Sequence, residues 1–290
     1  MSTLAYEIVD VFTDRPFTGN PLAVVFGAEA LAAEQMQALA REFHLSETVF
    51  VLAPSDPAAT YRARIFTPEE ELPFAGHPSV GAAVTGARLG RFAPGTVRQE
   101  CGAGVLPIEV YHGGRARLTG GTPTVGPELD PAPVLEVVGL MPEDLADPAP
   151  RLAGCGLEFT YLSVRPESVA RAVADQAAAV RHKVRSVSVF FWDAATRAAH
   201  TRVFAPGVGV PEDPATGSAA LGFGVWLVAS GSLPGEGEFS YLVRQGAELH
   251  RPSILDCTVT ASGGAAVRAT VTGQVVPIAR GEIAVPPFVG

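Results

Sequence analysis

The sequence is poor in charge and in cysteine, and both shortages exclude classes of protein. Only 18% of its 290 residues are charged, and 21 Lys+Arg against 30 Asp+Glu give a formal net charge of -9. The basic residues form no long cluster, which argues against a nucleic-acid or anionic-membrane partner. The three cysteines are far apart and lack metal-ligand spacing. We therefore expect neither a disulfide framework nor a metal site.

Long apolar runs are also missing. The first residues, MSTLAYEIVD, have neither the basic region nor the apolar segment of a secretory signal, and no run of about 18 uncharged apolar residues follows. The sequence therefore predicts a cytoplasmic protein whose partners are small molecules. Hydrophobic residues make up 47% of the chain, enough for a large core, and its length favours two domains over one.

Many short strands and few helices are predicted in the first half of the chain. A strand, a turn and a second strand over Tyr6–Phe26 resemble a hairpin, and Ala28–Phe43 has apolar residues at helical spacing. Two more strands, Glu47–Leu52 and Tyr61–Phe66, precede a helix over Pro78–Leu89. Because strands outnumber helices, we expect an antiparallel α+β fold.

The second half predicts a linker followed by a second set of elements. The segment Gly120–Pro133 is rich in Gly, Pro and Thr, which is typical of a linker. An Ala-rich helix is expected over Pro166–Val180, and short strands are expected over Phe239–Val285. The uncharged stretch Ala219–Gly231 predicts a buried helix with Ser218 as its N-cap.

The two halves share an internal repeat. The spacing from Gly76 to Gly90 equals that from Gly217 to Gly231, so a glycine, a helix length and a closing glycine recur in register. The repeat predicts two similar domains, 1–122 and 123–290, with the last strands able to return to the first domain. The further matches are Arg64–Pro68 with Arg202–Pro206, Glu71 with Glu212, and Pro73 with Pro214.

The loop Glu212–Ser218, EDPATGS, leads into the uncharged helix and is the first candidate site. A helix N-terminus presents free N–H groups and a positive dipole end, so an anionic ligand would be well placed there. If the domains face one another, this loop and its counterpart Glu71–His77 meet in one cleft. Asp213 and Glu47 have no acidic counterpart in the repeat. Glu47 begins a hydrophobic strand, where burial would raise its carboxyl pKa towards the range useful for acid-base catalysis.

Five motifs resemble the phenazine-biosynthesis isomerase family (PhzF-like), which is related in fold to diaminopimelate epimerase. They follow the expected order and span nearly the whole chain. The resemblance implies two pseudo-symmetric domains, each a curled, mostly antiparallel sheet around a central helix, with the active site between them and usually a homodimer. The motifs are VDVFTDRPFTGNPLAVV (Val9–Val25), LSETVF (Leu45–Phe50), RIFTPEEELPFAGHP (Arg64–Pro78), VFAPGVGVPEDPATGSA (Val203–Ala219) and QGAELHRPS (Gln245–Ser253).

The resemblance also implies roles for individual residues. In the family a glutamate of the SET motif shuttles a proton on the substrate, and this role maps to Glu47. His77 and Asp213 are implied to contribute to the same catalytic site. The named family member isomerises a dihydro-hydroxyanthranilate without metal or coenzyme, so no cofactor is expected. The expected substrate-binding residues are Asn20, Gly76, Gly217 and Ser218.

A comparison with the related epimerase excludes one of the possible proton-transfer mechanisms. That enzyme relies on two cysteines, at positions that here correspond to Ala75 and Thr216, so racemisation by a thiol pair is excluded. One carboxylate can still remove and return a proton on the same face. We expect a cofactor-independent isomerase of a small anionic, cyclic amino- or hydroxy-acid. The alternatives are a hydrolase in which Ser218 attacks with help from His77 and Asp213, and a binding or regulatory protein without turnover.

Overall fold

The computed structural model describes residues 2–208 and 210–287, in which the chain folds into two compact units. Unit 1 comprises Met1–Leu118 and Thr272–Gly290, and unit 2 comprises Thr119–Val271. The chain therefore enters the second unit once and returns to the first within its last strand. The domain division into 1–122 and 123–290 stays a prediction, because compactness of the Cα trace does not define an independently folding domain.

The secondary structure consists mainly of strands. The strands are β1 (Thr3–Val11), β2 (Asn20–Phe26), β3 (Glu47–Leu52), β4 (Tyr61–Phe66), β5 (Glu71–Leu72), β6 (Gly95–Cys101), β7 (Gly104–Tyr111), β8 (Arg115–Thr119), β9 (Pro123–Glu128), β10 (Arg151–Cys155), β11 (Glu158–Ser163), β12 (Val187–Asp193), β13 (Ala198–Ala205), β14 (Val210–Asp213), β15 (Gly237–Gln245), β16 (Ser253–Ser262) and β17 (Ala265–Ala284). The α-helices are α1 (Ala33–Phe43), α2 (Gly76–Arg88), α3 (Pro131–Val137), α4 (Pro166–Val169), α5 (Gln176–His182) and α6 (Gly217–Ala229).

The strands of unit 1 form one continuous series of neighbours. β1 pairs antiparallel with β2 and with the C-terminal part of β17, β2 pairs in parallel with β3, and β3 pairs antiparallel with β4. β4 pairs antiparallel with β5 and in parallel with β6, and β7 and β8 continue antiparallel. The two parallel pairs are those whose connections contain α1 and α2, since parallel neighbours need a crossover.

Unit 2 repeats this order of pairings. β10 pairs antiparallel with β11, β11 in parallel with β12, and β12 antiparallel with β13. β13 then pairs antiparallel with β14 and in parallel with β15, which pairs antiparallel with β16. The strands from β10 to β16 thus correspond one by one to those from β1 to β7. The internal repeat read from the sequence is confirmed as a repeated topology.

A helix with little or no charge lies at the centre of each unit. Residues Gly76–Gly86 of α2 and Gly217–Val228 of α6 are all buried, which suits helices with small or apolar residues on most of their surface. Because α2 contacts β1, β2, β3, β4, β6 and β7, the sheet of unit 1 curls around it. The predicted α+β fold of curled, mostly antiparallel sheets around central helices is confirmed. Among the described residues, no helix has both the length and the apolarity needed to cross a membrane.

The shorter helices cover the sheets from the other side. In unit 1, Met36 and Leu39 of α1 pack against Phe50 and Phe66 of the strands. In unit 2, side chains of α3, α4 and α5 form one buried cluster with residues of β11, β12 and β13. Burial of these apolar faces is the main stabilising contribution that such helices make. Each sheet is therefore covered by helices on both faces.

Each unit carries the same ion pair at the same point of the repeat. In unit 1, the Arg64 guanidinium on β4 donates to both carboxylate oxygens of Glu71 on β5, at 2.7 and 2.6 Å. In unit 2, Arg202 on β13 donates to both oxygens of Glu212 on β14, at 2.8 and 2.6 Å. Each guanidinium also lies over the phenylalanine two residues further along its strand, 5.2 or 4.9 Å from the ring centroid. The RIF and RVF segments therefore build the same local structure twice.

Three predictions of secondary structure are wrong. Gly120–Pro133 contains β9, which pairs with β10, because strand pairing overrides a composition that is typical of turns. The helix predicted over Pro166–Val180 is split into α4 and α5, and the Asp175 side chain caps α5 by accepting from the Ala178 N–H. Phe239–Val285 forms long strands rather than short ones, and β17 alone has 20 residues.

Removing the acid from each repeated ion pair should destabilise the protein unequally. The Arg202 side chain is 9% exposed and also donates to the carbonyls of Val169 and Ala172, so Glu212→Ala leaves a buried cation without its counter-ion. We expect a loss of about 3 kcal/mol in the free energy of unfolding. Glu71 is 40% exposed, and Glu71→Ala should cost about 1 kcal/mol or less. Urea unfolding measures both losses, and equal losses would contradict the assignment of Arg202 as a buried cation.

Candidate active site

Three elements of unit 1 bring Asn20, Glu47 and His77 together. Asn20 is the first residue of β2, Glu47 is the first residue of β3, and His77 is the second residue of α2. β2 and β3 are parallel neighbours with Leu22 opposite Glu47, so both strands begin at the same edge of the sheet. His77 Nδ1 lies 3.4 Å from Asn20 Nδ2 and 3.5 Å from Glu47 Oε2. Three of the predicted site residues are therefore in contact.

Ser46 completes this group. Its hydroxyl donates to Asn20 Oδ1 at 3.2 Å. Ser46 also precedes Glu47 directly and acts to lower the pKa of its carboxyl group. The sequence predicted no site role for Ser46, although it stands in the LSETVF motif. A hydroxyl directly before an acid at the start of a buried strand is the signal that could have identified it.

Glu47 has the electrostatics of a proton-transfer group. Its side chain is 17% exposed, but Oε2 is buried and accepts no hydrogen bond within the described part of the chain. Burial penalises the charged carboxylate and raises the pKa of Glu47 from 4.5 to about 7, while the adjacent Ser46 acts to lower it. Near neutral pH the group therefore populates both protonation states.

A chain of polar side chains fixes the start of α2. The Tyr61 hydroxyl donates to Gln99 Oε1 at 2.9 Å, and Gln99 Nε2 donates to the Ser79 hydroxyl at 2.8 Å. Ser79 in turn donates to the carbonyl of Ala75, the N-cap residue, at 2.8 Å. Helix geometry leaves the first N–H groups of α2, beginning with Gly76, without intrahelical acceptors. These donors are therefore presented by a rigidly held helix end.

In unit 2 the loop between β14 and α6 is joined into one hydrogen-bonded group. Asp213 ends β14, and its Oδ2 accepts from the Thr216 hydroxyl at 2.5 Å. Gln245 ends β15, and its Nε2 donates to the Asp213 carbonyl at 2.7 Å and to Thr216 Oγ1 at 3.0 Å. Its Oε1 accepts from the Thr216 N–H at 3.1 Å. Gln245 had no predicted role, although it begins the QGAELHRPS motif.

The prediction of Ser218 as N-cap is wrong. α6 begins at Gly217, Thr216 is its N-cap, and Ser218 is its buried second residue. The segment TGS offers two possible capping residues, and Gln245, which accepts from the Thr216 N–H, holds the first of them in place. The N–H groups of Gly217 and Ser218 belong to the first turn, so helix geometry leaves them without intrahelical acceptors.

The predicted site residues are distributed over both units. Glu47, His77, Asn20 and Gly76 belong to unit 1, and the predicted groups of the EDPATGS loop belong to unit 2. That both sets serve one cleft stays a prediction. Ala75 and Thr216 are the N-cap residues of the two central helices, so the repeat places them at equivalent positions, as the comparison with the epimerase requires.

The three cysteines lie on strands β6, β10 and β16. Cys155 and Cys257 are buried and Cys101 is partly exposed, and all three are free thiols. Burial raises the pKa of Cys155 to about 11 and raises the pKa of Cys257 well above its ordinary value, so both are neutral at pH 7. Within residues 2–208 and 210–287, no group of three or more His, Cys, Asp or Glu side chains is placed to hold a metal ion.

Comparison with known proteins finds similarity over nearly the whole length. The family model for "Phenazine biosynthesis-like protein" matches residues 9–281. An uncharacterized isomerase of Mesorhizobium japonicum is 34% identical, over 98% of this chain and 99% of that protein. The trans-2,3-dihydro-3-hydroxyanthranilate isomerase of Pseudomonas chlororaphis is 32% identical, over 96% of this chain and 98% of that protein.

A solved structure shares the fold. The crystal structure of a Bacillus anthracis phenazine biosynthesis protein of the PhzF family superimposes with a TM-score of 0.87. The match covers 98% of this chain and 100% of that chain, at 24% sequence identity. At this identity the likeness concerns the fold alone.

Glu47→Gln should change how stability depends on pH. The folded protein binds the Glu47 proton more tightly than the unfolded chain, so stability is lost as pH rises from about 4.5 through about 7. At about 1.4 kcal/mol per pKa unit, the charged carboxylate costs about 3 kcal/mol at pH 8. The glutamine variant avoids this loss, so its free energy of unfolding should exceed that of the wild type at pH 8 and approach it at pH 5.

Urea unfolding at pH 5 and pH 8 measures this difference. Glu29→Gln, at an exposed acid of the same unit, is the matched control and should follow the wild type at both values. A Glu47→Gln protein with the same pH dependence as the wild type would show that burial does not raise the pKa of Glu47.

Proposed function

The chain belongs to the phenazine biosynthesis-like family and is an isomerase, and we propose that Glu47 moves a proton within a small anionic substrate without metal or coenzyme. The proposed substrate is a cyclic amino- or hydroxy-acid similar to trans-2,3-dihydro-3-hydroxyanthranilate, on which the relative from Pseudomonas chlororaphis acts by its name. The proposal follows the chemistry of the site residues, and the family membership agrees with it.

The observation that carries this proposal is the state of the Glu47 carboxyl group. A general base works best when its pKa lies near the working pH, because it can then both take up and release the proton. Burial raises the pKa of Glu47 to about 7 and leaves Oε2 without a hydrogen bond in the described part of the chain. The carboxylate therefore gains by accepting a proton from a bound substrate.

The reaction needs one carboxyl group and no co-reactant. Ionised Glu47 takes a proton from a substrate carbon, and the electron pair of that C–H bond spreads over the unsaturated system of the substrate. Neutral Glu47 then returns the proton to a different carbon on the same face, which restores the starting state of the enzyme. His77, with Nδ1 3.5 Å from Glu47 Oε2, orients the carboxyl group, and Asp213 is the third catalytic group.

The anionic group of the substrate is proposed to bind at the helix N-termini. Free N–H groups and the positive end of a helix dipole favour an anion, and the first turns of α2 and α6 supply both. Gly76, Gly217 and Ser218 would contribute their N–H groups and Asn20 its amide. The absence of acidic residues from the first turns of both helices is consistent with this use.

Glu47→Gln should abolish exchange of substrate hydrogen with solvent. Glutamine keeps the size of the side chain but cannot accept the proton, so deuterium incorporation from heavy water should fall by at least about 100-fold. Incubation with trans-2,3-dihydro-3-hydroxyanthranilate followed by mass spectrometry measures incorporation. Glu29→Gln, which alters an exposed acid of the same unit, should incorporate deuterium like the wild type. Full exchange by a folded Glu47→Gln protein would refute the proposed role.

We also propose a homodimer, which the family resemblance supports. Light scattering coupled to size exclusion should give a mass of about twice the 30.1 kDa of the chain, over a tenfold range of protein concentration. A mass equal to that of one chain throughout would contradict it. The absence of nucleic-acid and membrane partners and the cytoplasmic location stay predictions from composition.

A further inference from the structure

We propose that Gln245 is a positioning residue of the reaction, which holds Asp213 and Thr216 in the loop that opens α6. It acts on the substrate through Asp213, so the inference rests on the catalytic role proposed for Asp213. Neither the sequence patterns nor the family resemblance assigned Gln245 a role.

All the hydrogen bonds of the Gln245 side chain are made with this one loop. It is 2% exposed, and a buried amide is stable only when its donors and acceptor are paired. Its three hydrogen bonds, at 2.7, 3.0 and 3.1 Å, all go to Asp213 and Thr216. Two residues that are 29 and 32 positions distant in sequence are therefore held by a single side chain.

The orientation of the amide follows from its partners. The N–H of Thr216 can only donate, and the carbonyl of Asp213 can only accept, so Oε1 must face the former and Nε2 the latter. Nε2 then donates its second proton to Thr216 Oγ1. Because Oγ1 accepts that bond, the hydroxyl proton of Thr216 is free to point at Asp213 Oδ2, 2.5 Å away. Gln245 thereby sets the direction of the hydrogen bond that fixes the carboxylate.

The first unit serves as an internal comparison. β4 pairs with β6 with Tyr61 opposite Gln99, and β13 pairs with β15 with Ala199 opposite Val243. Since Arg64 and Arg202 are equivalent in the repeat, these registers place Cys101 at the position of Gln245. The equivalents of Asp213 and Thr216 are Leu72 and Ala75, which have no side-chain polar groups to hold. A glutamine therefore stands at this position in the unit whose loop is polar, and a cysteine stands where the loop is apolar.

The glycine after Gln245 allows the close approach. Gly246 has a φ of 79°, and a Cβ there would lie 2.5 Å from the carbonyl oxygens of Pro214 and Arg251. In unit 1, a Cβ on Gly102 would likewise lie 2.7 Å from Pro73 Cα. In both units, the glycine that follows the strand therefore lies close to the proline of the loop. In unit 2 the Gln245 side chain also reaches Asp213 and Thr216 of the loop.

The test is a double-mutant cycle between Gln245→Met and Asp213→Asn. Methionine has a similar length but makes none of the three hydrogen bonds, so kcat should fall by about 100-fold while KM changes less than threefold. In the Asp213→Asn background the same substitution should cause no further loss, because Gln245 acts through that carboxylate. A kcat of Gln245→Met within threefold of the wild type, or equal losses in both backgrounds, would overturn the proposal.

Two further variants separate a positioning role from a loss of fold. Arg244→Met changes the exposed neighbour on β15 and should leave kcat within threefold of the wild type. Gln245→Glu keeps the shape and the acceptor for the Thr216 N–H but, when ionised, cannot donate. Its midpoint of thermal unfolding should fall, because a buried carboxylate would face the Asp213 carbonyl oxygen, but the variant that is still folded at the assay temperature should lose kcat. A Gln245→Glu protein with wild-type kcat would overturn the proposal even if Gln245→Met fails to fold.

The assay with trans-2,3-dihydro-3-hydroxyanthranilate also separates this inference from the proposed function. Active Glu47→Gln would refute the proposed base, and a fully active Asp213→Asn protein would overturn the role of Gln245 without affecting Glu47. Amide hydrogen exchange of Thr216 needs no substrate. Its rate should rise at least about tenfold in Gln245→Met, since its acceptor is removed. An unchanged rate would overturn the proposal whatever the activity.

Discussion

Burial of a helix at the centre of a curled sheet is the constraint on which each unit depends. A helix enclosed by strands on several sides can present little except its ends to other groups, so its N-terminus becomes the place where polar chemistry is possible. In unit 1 this end lies where β2 and β3 begin, which brings His77 to Asn20 and Glu47. The same burial removes water from the Glu47 carboxyl group and raises its pKa to about 7. The fold and the raised pKa of Glu47 therefore depend on the same burial.

The two units have the same fold but carry different polar side chains at equivalent positions. Pairing order, helix lengths and the bidentate Arg–Glu pair recur, because they hold the sheet and the loop before each central helix in place. The side chains at three equivalent positions differ: Leu72, Ala75 and Cys101 in unit 1 stand against Asp213, Thr216 and Gln245 in unit 2. Unit 1 instead carries the raised-pKa acid. The two units therefore share the residues that hold the fold and differ in the polar residues beside the central helix.

A buried acid is destabilising, and its neighbours limit that effect. The Ser46 hydroxyl donates to Asn20, and Ser46 favours the charged form of the adjacent Glu47, which opposes the effect of burial on the pKa of Glu47. The chain from Tyr61 through Gln99 and Ser79 fixes the helix end that carries His77. Rigid support of this kind keeps polar side chains in place while one of them, Glu47, remains incompletely hydrogen-bonded.

The sequence by itself determined the α+β class, the repeat and the choice of Glu47, His77 and Asn20, because alternation of apolar residues, turn residues and short motifs are local properties of the chain. Only the tertiary structure decided that Gly120–Pro133 contains a strand, that α6 begins at Gly217 and not after a Ser218 cap, that Ser46 contacts Asn20, and that Gln245 contacts Asp213 and Thr216. These features depend on partners far away along the chain: β9 needs β10, and the Thr216 N–H needs an acceptor 29 residues later. A local pattern cannot specify such partners, since it contains no information on which distant residue folding brings within hydrogen-bonding distance.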